Sequence, residues 1–230
     1  MTKLLFPSPP PALLPVTGTE AMYPVTRIFC VGRNYAEHAK EMGSEVDREA
    51  PFYFTKLPAH LAQSGATVPY PPGTSDFHHE MEFVVALGAP AFRVSVGQAM
   101  EAVFGYAAGL DMTRRDLQAA SKEKRRSWDT GKDFENAAVI GPITPKAGFG
   151  EPGPQAITLK VGERLAQSAH LSDMVWSVAE IIAHLSTLYH LGPGDLIMTG
   201  TPAGVGPVVA GDRLHGEVEG LAAVELVIAP

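Results

Sequence analysis

The feature that most constrains the fold is a series of short, apolar, β-rich segments with few helices between them. Six segments are predicted as strands: 27–31, 82–87, 106–110, 157–161, 195–199 and 222–228. Apolar residues at helical spacing predict a helix over 178–191, opened by a capping box of Ser177 and Glu180. A shorter helix is predicted over 35–42, with Asn34 as its cap and Gly43 as its stop. Because strands outnumber helices and do not alternate with them regularly, the sequence predicts an α+β fold.

The organisation along the chain indicates one domain. The 230 residues contain no internal repeat and no linker-like change of composition. Prolines cluster between Pro7 and Pro15, so residues 1–24 are predicted to form a proline-rich arm before the first strand. Residues 25–230 are predicted to form a single domain, which is long enough to bury a substantial core without disulfides.

Charge and cysteine content exclude several classes of protein. The chain has 18 Lys+Arg against 25 Asp+Glu, a formal net charge of −7, whereas a nucleic-acid binder normally presents a basic face. The single cysteine, Cys30, excludes an internal disulfide and suits a reducing compartment. The sequence has neither a signal-peptide apolar region nor an apolar run long enough to span a membrane. A cytoplasmic protein with no nucleic-acid or membrane partner is expected.

Three carboxylates occur in unusually apolar surroundings. If 77–85 is a strand, its period of two places Glu80 and Glu82 on one face, where the charges repel unless a cation or protons compensate them. Asp111 ends the apolar strand 105–110, where an unpaired charge is costly. A Glu-x-Glu pair alone usually lies on a solvent face. With Asp111, however, the carboxylates form an all-oxygen set that suits Mg²⁺ or Mn²⁺ better than zinc.

A histidine and a glutamate share one face of the shorter predicted helix. His38 and Glu41 are three residues apart, so their side chains can form a hydrogen bond. A carboxylate beside an imidazole fixes the tautomer and raises the basicity, as a general base requires. An ordinary solvated helix face is the alternative interpretation of this short motif.

Two further features could bind an anion. Lys132 follows the highly charged stretch 114–126, a predicted solvated helix, and lies among glycine and aromatic residues, so it is either a placed cation or a surface lysine. The glycine-rich segment 192–206 carries Thr199 and Thr201 at the end of a strand, and its amides and hydroxyls could bind a carboxylate or phosphate. A tight connection between strands is the alternative. The segment is neither a Walker loop nor a dinucleotide-binding motif.

In this order, the motifs resemble those of a known family. The matching segments are 30–35 with His38 and Glu41, 79–82, 109–111, Lys132, 172–174, 193–195 and 199–206. They resemble the fumarylacetoacetate hydrolase family from about residue 25 to the C-terminus, and the glycine-rich motif 199–206 is the most specific. The proline-rich start, the Tyr-Pro-Pro stretch at residue 70 and the segment 128–130 are most similar to the fumarylpyruvate and acylpyruvate hydrolase branch.

The resemblance implies roles for the acidic residues and the histidine. Glu80, Glu82 and Asp111 match the carboxylates that hold the family's divalent cation, here Mg²⁺ or Mn²⁺. His38 and Glu41 match the water-activating pair, carried on a segment that closes over the bound substrate.

The resemblance also implies the residues that contact the substrate. Lys132 matches the lysine that pairs with developing negative charge. The matching substrate-binding positions are Arg33, Tyr35, Lys56, Gln118 and Thr201. Of these, Thr201 is expected at the substrate carboxylate and Gln118 at the oxo acid. The first three are expected near the distal end of the substrate, where relatives often have a Lys-Pro motif and this chain has Lys56-Leu57-Pro58.

The resemblance implies both a fold and an activity. The fold is a mixed β-sandwich or β-roll with peripheral helices, usually a homodimer, which makes 25–230 a catalytic domain. The activity is metal-dependent cleavage of the C–C bond of a 2,4-dioxo acid, such as fumarylpyruvate to fumarate and pyruvate in gentisate-type aromatic catabolism. The alternatives are decarboxylation or tautomerisation of oxaloacetate and isomerisation of hydroxymuconate-type acids. These reactions need no attacking water, so His38 and Glu41 favour hydrolysis.

Overall fold

The computed structural model describes residues 4–41, 43 and 48–230, and most of its regular structure consists of short strands. In chain order the strands are β1 Leu13–Pro15, β2 Met22–Pro24, β3 Arg27–Gly32, β4 Phe52–Lys56, β5 Leu61–Gln63, β6 Ala66–Val68, β7 Phe77–His79, β8 Met81–Leu87, β9 Val103–Asp111, β10 Thr113–Arg114, β11 Ala138–Ile140, β12 Thr144–Pro145, β13 Ala156–Val161, β14 Arg164–His170, β15 Asp195–Met198, β16 Gly206–Pro207, β17 Arg213–Val218 and β18 Val224–Ile228. The α-helices are α1 Ala36–Glu41, α2 Val96–Ala99, α3 Arg115–Glu123, α4 Asp129–Lys132, α5 Lys146–Phe149 and α6 Val178–Leu188. Single turns of 3₁₀ helix are Pro58–His60, Met100–Ala102 and Leu171–Asp173.

The largest sheet is mixed and carries the candidate site. Its strands run in the order β4-β3-β15-β8-β9-β11-β5, and β12 pairs with β9 outside that path. β15 is parallel to β3 and β11 is parallel to β5, whereas the other pairs in this sheet are antiparallel. A five-stranded sheet, β14-β13-β17-β18-β6, packs against β8 and β9. Smaller sheets are formed by β10-β7-β16 and by β1-β2.

The large sheet is buried on both faces. On β8, Phe83 and Val85 pack into the core shared with the five-stranded sheet and α6. Val84 and Ala86 alternate with them and pack into a second core that includes the β1-β2 hairpin. Strands buried on both faces are apolar at nearly every position. A charged side chain on β8 is therefore enclosed by protein, which is the setting of the candidate site.

The predicted α+β class, with mixed packed sheets and peripheral helices, is confirmed. All six predicted strands form, with ends that differ by a few residues. The prediction over 106–110 becomes the longer strand Val103–Asp111 because β9 has β8 on one side and both β11 and β12 on the other.

The long predicted helix begins where its capping box placed it. Ser177 Oγ accepts a hydrogen bond from the Glu180 amide at 3.3 Å, and the Glu180 carboxylate accepts one from the Ser177 amide at 2.8 Å. The helix ends at Leu188, before the predicted end, because the chain then extends and Leu191 forms a bridge with Ala91. None of the helices in the described part of the chain is both long and apolar enough to cross a membrane.

Asn34 does not cap the short helix α1, contrary to the prediction. Its Nδ2 donates to the carbonyl oxygens of Trp176 and Thr199 at 3.0 and 2.8 Å, and its Oδ1 accepts from the Trp176 amide at 2.7 Å. Tertiary contacts thus occupy the side chain and tie the start of α1 to the end of β15. Gly43 follows α1 with φ +65°, a conformation suited to glycine. Met42, the last residue of the predicted helix, lies outside the described residues.

The N-terminal segment contains regular structure. Within 1–24, β1 and β2 pair in antiparallel fashion, and Leu14, Val16 and Tyr23 are buried against the outer face of the large sheet. The expectation that the first strand begins at Arg27 is therefore wrong, because these apolar side chains find a partner surface that only the folded sheet provides. The domain boundary at residue 25 stays a prediction.

Candidate active site

Three carboxylates converge at one edge of the large sheet. Glu80 immediately precedes β8, Glu82 lies within it, and Asp111 ends β9. The Asp111 amide donates to the Glu80 carbonyl oxygen at 2.8 Å and brings the two residues side by side. The period of two places Glu82 on the same face as Val84. One oxygen from each of the three carboxylates lies within 4.8 Å of the others. These three residues are called the acidic triad below.

The acidic triad fits a hard divalent cation. All three side chains are buried, and Glu82 accepts a hydrogen bond from the Gly200 amide at 2.8 Å. Burial and the charges of Asp111 and Glu80 raise the pKa of Glu82 well above its usual range. Buried carboxylate oxygens that repel one another are stabilised by a bound cation with a preference for oxygen ligands. The chemistry of the donor set therefore indicates a divalent-metal site.

Lys132 is buried against the acidic triad at the end of α4. Its Nζ donates to Glu80 Oε2 and Asp111 Oδ2 at 2.8 Å each, and to Thr113 Oγ1 at 2.7 Å. Burial lowers the pKa of Lys132, but Asp111 and Glu80 outweigh it and the net shift is upward. An ammonium group has three N–H donors, and these contacts use all of them. Lys132 is therefore a placed cation and not a surface lysine.

Lys56 lies beneath the triad, so its predicted placement near the distal end of the substrate is wrong. The side chain is fully buried, and its Nζ lies 2.8 Å from Asp111 Oδ1. It also donates to the carbonyl oxygens of Met112, at 3.2 Å, and Lys132. Lys56 is the last residue of β4, the edge strand beside β3, and its side chain is directed into the protein interior. Lys56 neutralises Asp111 and fixes the end of α4.

Arg115 is a site residue that sequence reasoning missed. The stretch 114–126 was expected to be a solvated helix, yet Arg115 and Gln118 are buried on α3. Arg115 donates to Glu80 Oε1 at 2.5 Å and to Gln118 Oε1 at 2.6 Å. Burial alone would raise the pKa of Glu80, but Lys132 and Arg115 outweigh it and lower that pKa below its usual range. The three-residue spacing of Arg115 from Gln118, a predicted substrate residue, was the available signal.

His38 and Glu41 lie on α1, and His38 lines a pocket together with Glu80 and Glu82. His38 Nδ1 lies 3.4 Å from Glu41 Oε2, and Glu41 also accepts from the Gly204 amide at 3.2 Å. Burial lowers the pKa of His38, and the opposing influence of Glu80 and Glu41 does not reverse the shift. The imidazole is therefore neutral at pH 7. With Nδ1–H directed at Glu41, Nε2 is left to accept a proton.

Gln167 on β14 is a second residue that sequence reasoning missed. Its Nε2 donates to Thr201 Oγ1 and to the Pro202 carbonyl oxygen at 2.8 Å each. Its Oε1 accepts from the Met81 amide at 2.9 Å and contacts His79 Nδ1 at 3.2 Å. Since the Thr201 oxygen accepts from Gln167, its hydroxyl hydrogen is free to donate to a ligand. No local pattern in the sequence links Gln167 to a residue so distant along the chain.

One pocket brings together most of the predicted substrate residues. Arg33, Gln118 and Thr201 line it together with His38, Lys132, Glu80 and Glu82. Tyr35 does not line this pocket. Its buried hydroxyl has no hydrogen-bond partner in the described ranges, and burial together with the nearby charge of Glu82 raises its pKa. The expectation that Tyr35 lies at the distal end is corrected accordingly, because its segment pairs with Met174 and turns the ring inward.

The sequence was compared with models of known protein families. The family model of the fumarylacetoacetate (FAA) hydrolase C-terminal domain matches residues 27–229. The protein belongs to this family, as its motifs predicted. The matched region contains every residue of the acidic triad and the His38–Glu41 pair.

Individual relatives extend the comparison. The chain is 56% identical over 192 residues to fumarylpyruvate hydrolase of Ralstonia sp., which covers 82% of this chain and 99% of that protein. It is 38% identical over 200 residues to a mitochondrial oxaloacetate tautomerase of Arabidopsis thaliana, covering 87% and 89% of the two chains. The crystal structure of fumarylpyruvate hydrolase from Pseudomonas aeruginosa in complex with Mn²⁺ and pyruvate matches with a TM-score of 0.95 and 42% identity over 99% of both chains.

Proposed function

We propose that this protein is a metal-dependent hydrolase that cleaves the carbon–carbon bond of a 2,4-dioxo acid, with fumarylpyruvate as substrate and fumarate and pyruvate as products. Glu80, Glu82 and Asp111 would hold the cation, Mg²⁺ or Mn²⁺. The observation that carries the proposal is one pocket lined by Glu80 and Glu82 of the acidic triad and by His38, a buried histidine that pairs with the more exposed Glu41. The fumarylpyruvate hydrolase relatives, one of them solved with Mn²⁺ and pyruvate, support it.

His38 is the general base in this proposal. Glu41 holds Nδ1–H, so the Nε2 lone pair takes a proton from a water molecule as that water attacks the C4 carbonyl carbon. Because the pKa of His38 is lowered, the neutral imidazole predominates at pH 7. When the tetrahedral adduct collapses, the C3–C4 bond breaks and its electron pair leaves with the pyruvate part as an enolate. Protonation of C3 completes pyruvate, and the acyl part leaves as fumarate.

Charge in the pocket suits the enolate leaving group. Lys56 and Lys132 pair with Asp111, and Lys132 and Arg115 pair with Glu80, whereas Glu82 has no ion pair among the described residues. A bound divalent cation adds two positive charges and supplies Lewis-acid polarisation of the 2-oxo group. Fixed charges in a site of low dielectric stabilise developing negative charge far better than water does. Since the donors of Lys132 are occupied, it contributes through its charge, whereas Thr201 offers its hydroxyl hydrogen to the substrate carboxylate.

Tautomerisation or decarboxylation of oxaloacetate is the second candidate, because an oxaloacetate tautomerase is 38% identical to this chain. Such reactions use the enolate-stabilising charges but need no attacking water. The two candidates therefore differ in their need for His38.

The test measures both reactions on one enzyme. We expect the ultraviolet absorbance of fumarylpyruvate to disappear with Mg²⁺ or Mn²⁺ and to persist with EDTA. His38→Ala should lower hydrolysis by about 10²–10⁴-fold, the usual contribution of a general base, and affect oxaloacetate turnover far less. Undiminished turnover after exhaustive chelation would contradict the metal assignment. Parallel loss of both reactions would contradict the role of His38 in activating water.

Two further properties belong to the proposal. The single, buried Cys30 is consistent with a reducing compartment, and we propose a cytoplasmic location. We also propose a homodimer, on the family resemblance. Sedimentation velocity of the purified protein tests the second point, because a monomer at micromolar concentration would contradict it.

A further inference from the structure

Two half-buried cations line the outer part of the pocket. Arg33 follows β3, and Lys122 lies in the last turn of α3. Both side chains are less buried than the acidic triad. Within residues 4–41, 43 and 48–230, neither cation forms an ion pair with a carboxylate.

The face of α3 explains how Lys122 reaches the pocket. Arg115, Gln118 and Lys122 follow a spacing of i, i+3 and i+7, so they lie on one face of the helix. Arg115 contacts Glu80 at the inner end, and Lys122 lies about 10 Å farther along the helix axis. This face therefore presents one cation to the triad and another to the opening.

The two outer cations influence each other. Burial lowers the pKa of Lys122, and the charges of Arg33 and Arg115 lower it further. Like charges brought together at a partly buried position favour binding of an anion between them. A carboxylate at this position would relieve the repulsion without displacing any existing ion pair.

Two aromatic rings line the same pocket as these cations. Phe54 and Trp128 line the pocket, with their ring centroids 6.0 Å apart. Lys132 Nζ lies 5.0 Å from the Phe54 ring at the inner end. The pocket thus combines a buried cation, two aromatic rings and two half-buried cations. A planar unsaturated chain with an anionic group at each end matches this combination.

We propose that Arg33 and Lys122 bind the second carboxylate of a dicarboxylic 2,4-dioxo acid and that Lys122 is a specificity-determining residue. This inference rests on the proposed function and deepens it by stating which acyl group the site prefers. Lys56 and Tyr35 were predicted to bind the distal end of the substrate, but they do not line this pocket. The proposal assigns that role to Lys122 of α3 together with Arg33.

The test compares two substrates that differ only at the outer end. One is fumarylpyruvate, and the other is the matched 2,4-dioxo acid with a methyl group in place of its second carboxylate. Lys122→Met should lower kcat/KM for fumarylpyruvate by about ten- to a hundredfold, the range of one charge-assisted hydrogen bond. The value for the methyl analogue should change less than about threefold. Lys122→Arg should restore most of the preference because it restores the charge.

Lys124→Met is the matched control, since Lys124 is exposed at the end of the same helix. It should leave both substrates unaffected. Arg33→Gln provides a second test from another segment and should also lower kcat/KM selectively for the dicarboxylate. Equal losses on both substrates, or no loss on either, would overturn the proposal.

A binding measurement separates this proposal from the proposed function. We expect calorimetric titration with Mn²⁺ present to show tighter binding of fumarate than of crotonate, which has a methyl group in place of one carboxylate. The preference should disappear in Lys122→Met. If the enzyme cleaves neither dioxo acid but retains this preference, the proposed reaction fails and the carboxylate site stands. Equal binding of fumarate and crotonate by the wild-type protein would overturn the carboxylate site itself.

Discussion

The two ends of strand β15 hold buried carboxylates in opposite electrostatic situations. At its first residue, Asp195 is fully partnered. Beyond its last residue, the Gly200 amide reaches Glu82 of the acidic triad. Both carboxylates are about 1% exposed, so burial alone does not distinguish them. Their partners do.

Asp195 is surrounded by donors. Arg27 donates to both of its oxygens, at 2.7 and 2.5 Å. The Gly192 amide donates at 2.8 Å and the Thr26 hydroxyl at 3.2 Å. A carboxylate with this many donors and its own guanidinium needs no further ligand. This end of β15 is a structural clamp that joins the strand to β3 and to the loop after α6.

Glu82, unlike Asp195, has few hydrogen-bond donors around its carboxylate. It accepts from one backbone amide and faces the like charges of Asp111 and Glu80, which together with burial raise its pKa. Removing the charge of Asp195 should therefore cost stability, whereas removing that of Glu82 should cost activity. The comparison teaches that unbalanced charge, more than burial, marks the functional end of the strand.

The largest expected effect is loss of activity in Glu82→Gln. Removing one metal carboxylate should lower kcat/KM at least about a thousandfold, since metal stabilisation of the transition state contributes several kcal/mol. Calorimetry should show much weaker Mn²⁺ binding. The melting temperature in EDTA should stay level or rise, because the variant removes a buried charge next to like charges.

Glu123→Gln, at an exposed position, is the control for Glu82→Gln and should leave activity and Mn²⁺ binding unchanged. Activity within tenfold of wild type, or a clear fall in the melting temperature in EDTA, would remove the contrast between the two ends of β15.

The second effect is loss of stability in Asp195→Ala. The variant leaves the Gly192 amide and the Thr26 hydroxyl without their acceptor, so we expect the free energy of unfolding to fall by about 2–3 kcal/mol. Denaturant unfolding measures this, and kcat per folded molecule should stay within about twofold. The control Glu217→Ala, at an exposed carboxylate, should change stability by less than about 0.5 kcal/mol. A loss of Mn²⁺ affinity in Asp195→Ala would show that the two ends are coupled.

The smallest expected effect is that of Glu41→Gln on the pH profile of kcat/KM. The acid limb, where kcat/KM falls as His38 becomes protonated, should shift. Since burial lowers the pKa of His38, the wild-type limb should lie below the ordinary value of 6.5. The Glu41 carboxylate raises that pKa, so neutralising it should move the limb to still lower pH and lower kcat less than His38→Ala does. The profile is measured at two saturating Mn²⁺ concentrations, so that titration of the metal ligands can be recognised. A limb that moves to higher pH would contradict the pairing of Glu41 with His38.

Much of the fold could be predicted because its signals are local. Alternating and continuous apolar runs identified the central strands, and Ser177 with Glu180 identified the start of α6. The ends of β9 and α6 could not be predicted from local apolar patterns. They depend on which strands pair alongside and on the bridge between Leu191 and Ala91, and both are long-range contacts.

The candidate site was predictable where spacing along the chain carries geometry. The alternation of Glu80 with Glu82 and the helical spacing of His38 and Glu41 follow directly from the periods of a strand and a helix. Asp111 could be added because it ends an apolar strand. Side chains brought in from other elements were not accessible in this way, and Gln167 is the clearest case.

The sequence by itself determined the α+β class, the central strands and the chemical types of residue at the site. Only the tertiary structure decided that Lys56 turns inward to Asp111, that Arg115 is buried on Glu80 and that Lys122 lines the same pocket as Arg33. The physical reason is that backbone periodicity acts over a few neighbouring residues. The partner of a buried charge, by contrast, is set by how distant strands and helices pack, and that packing selects which lysines and arginines leave the solvent.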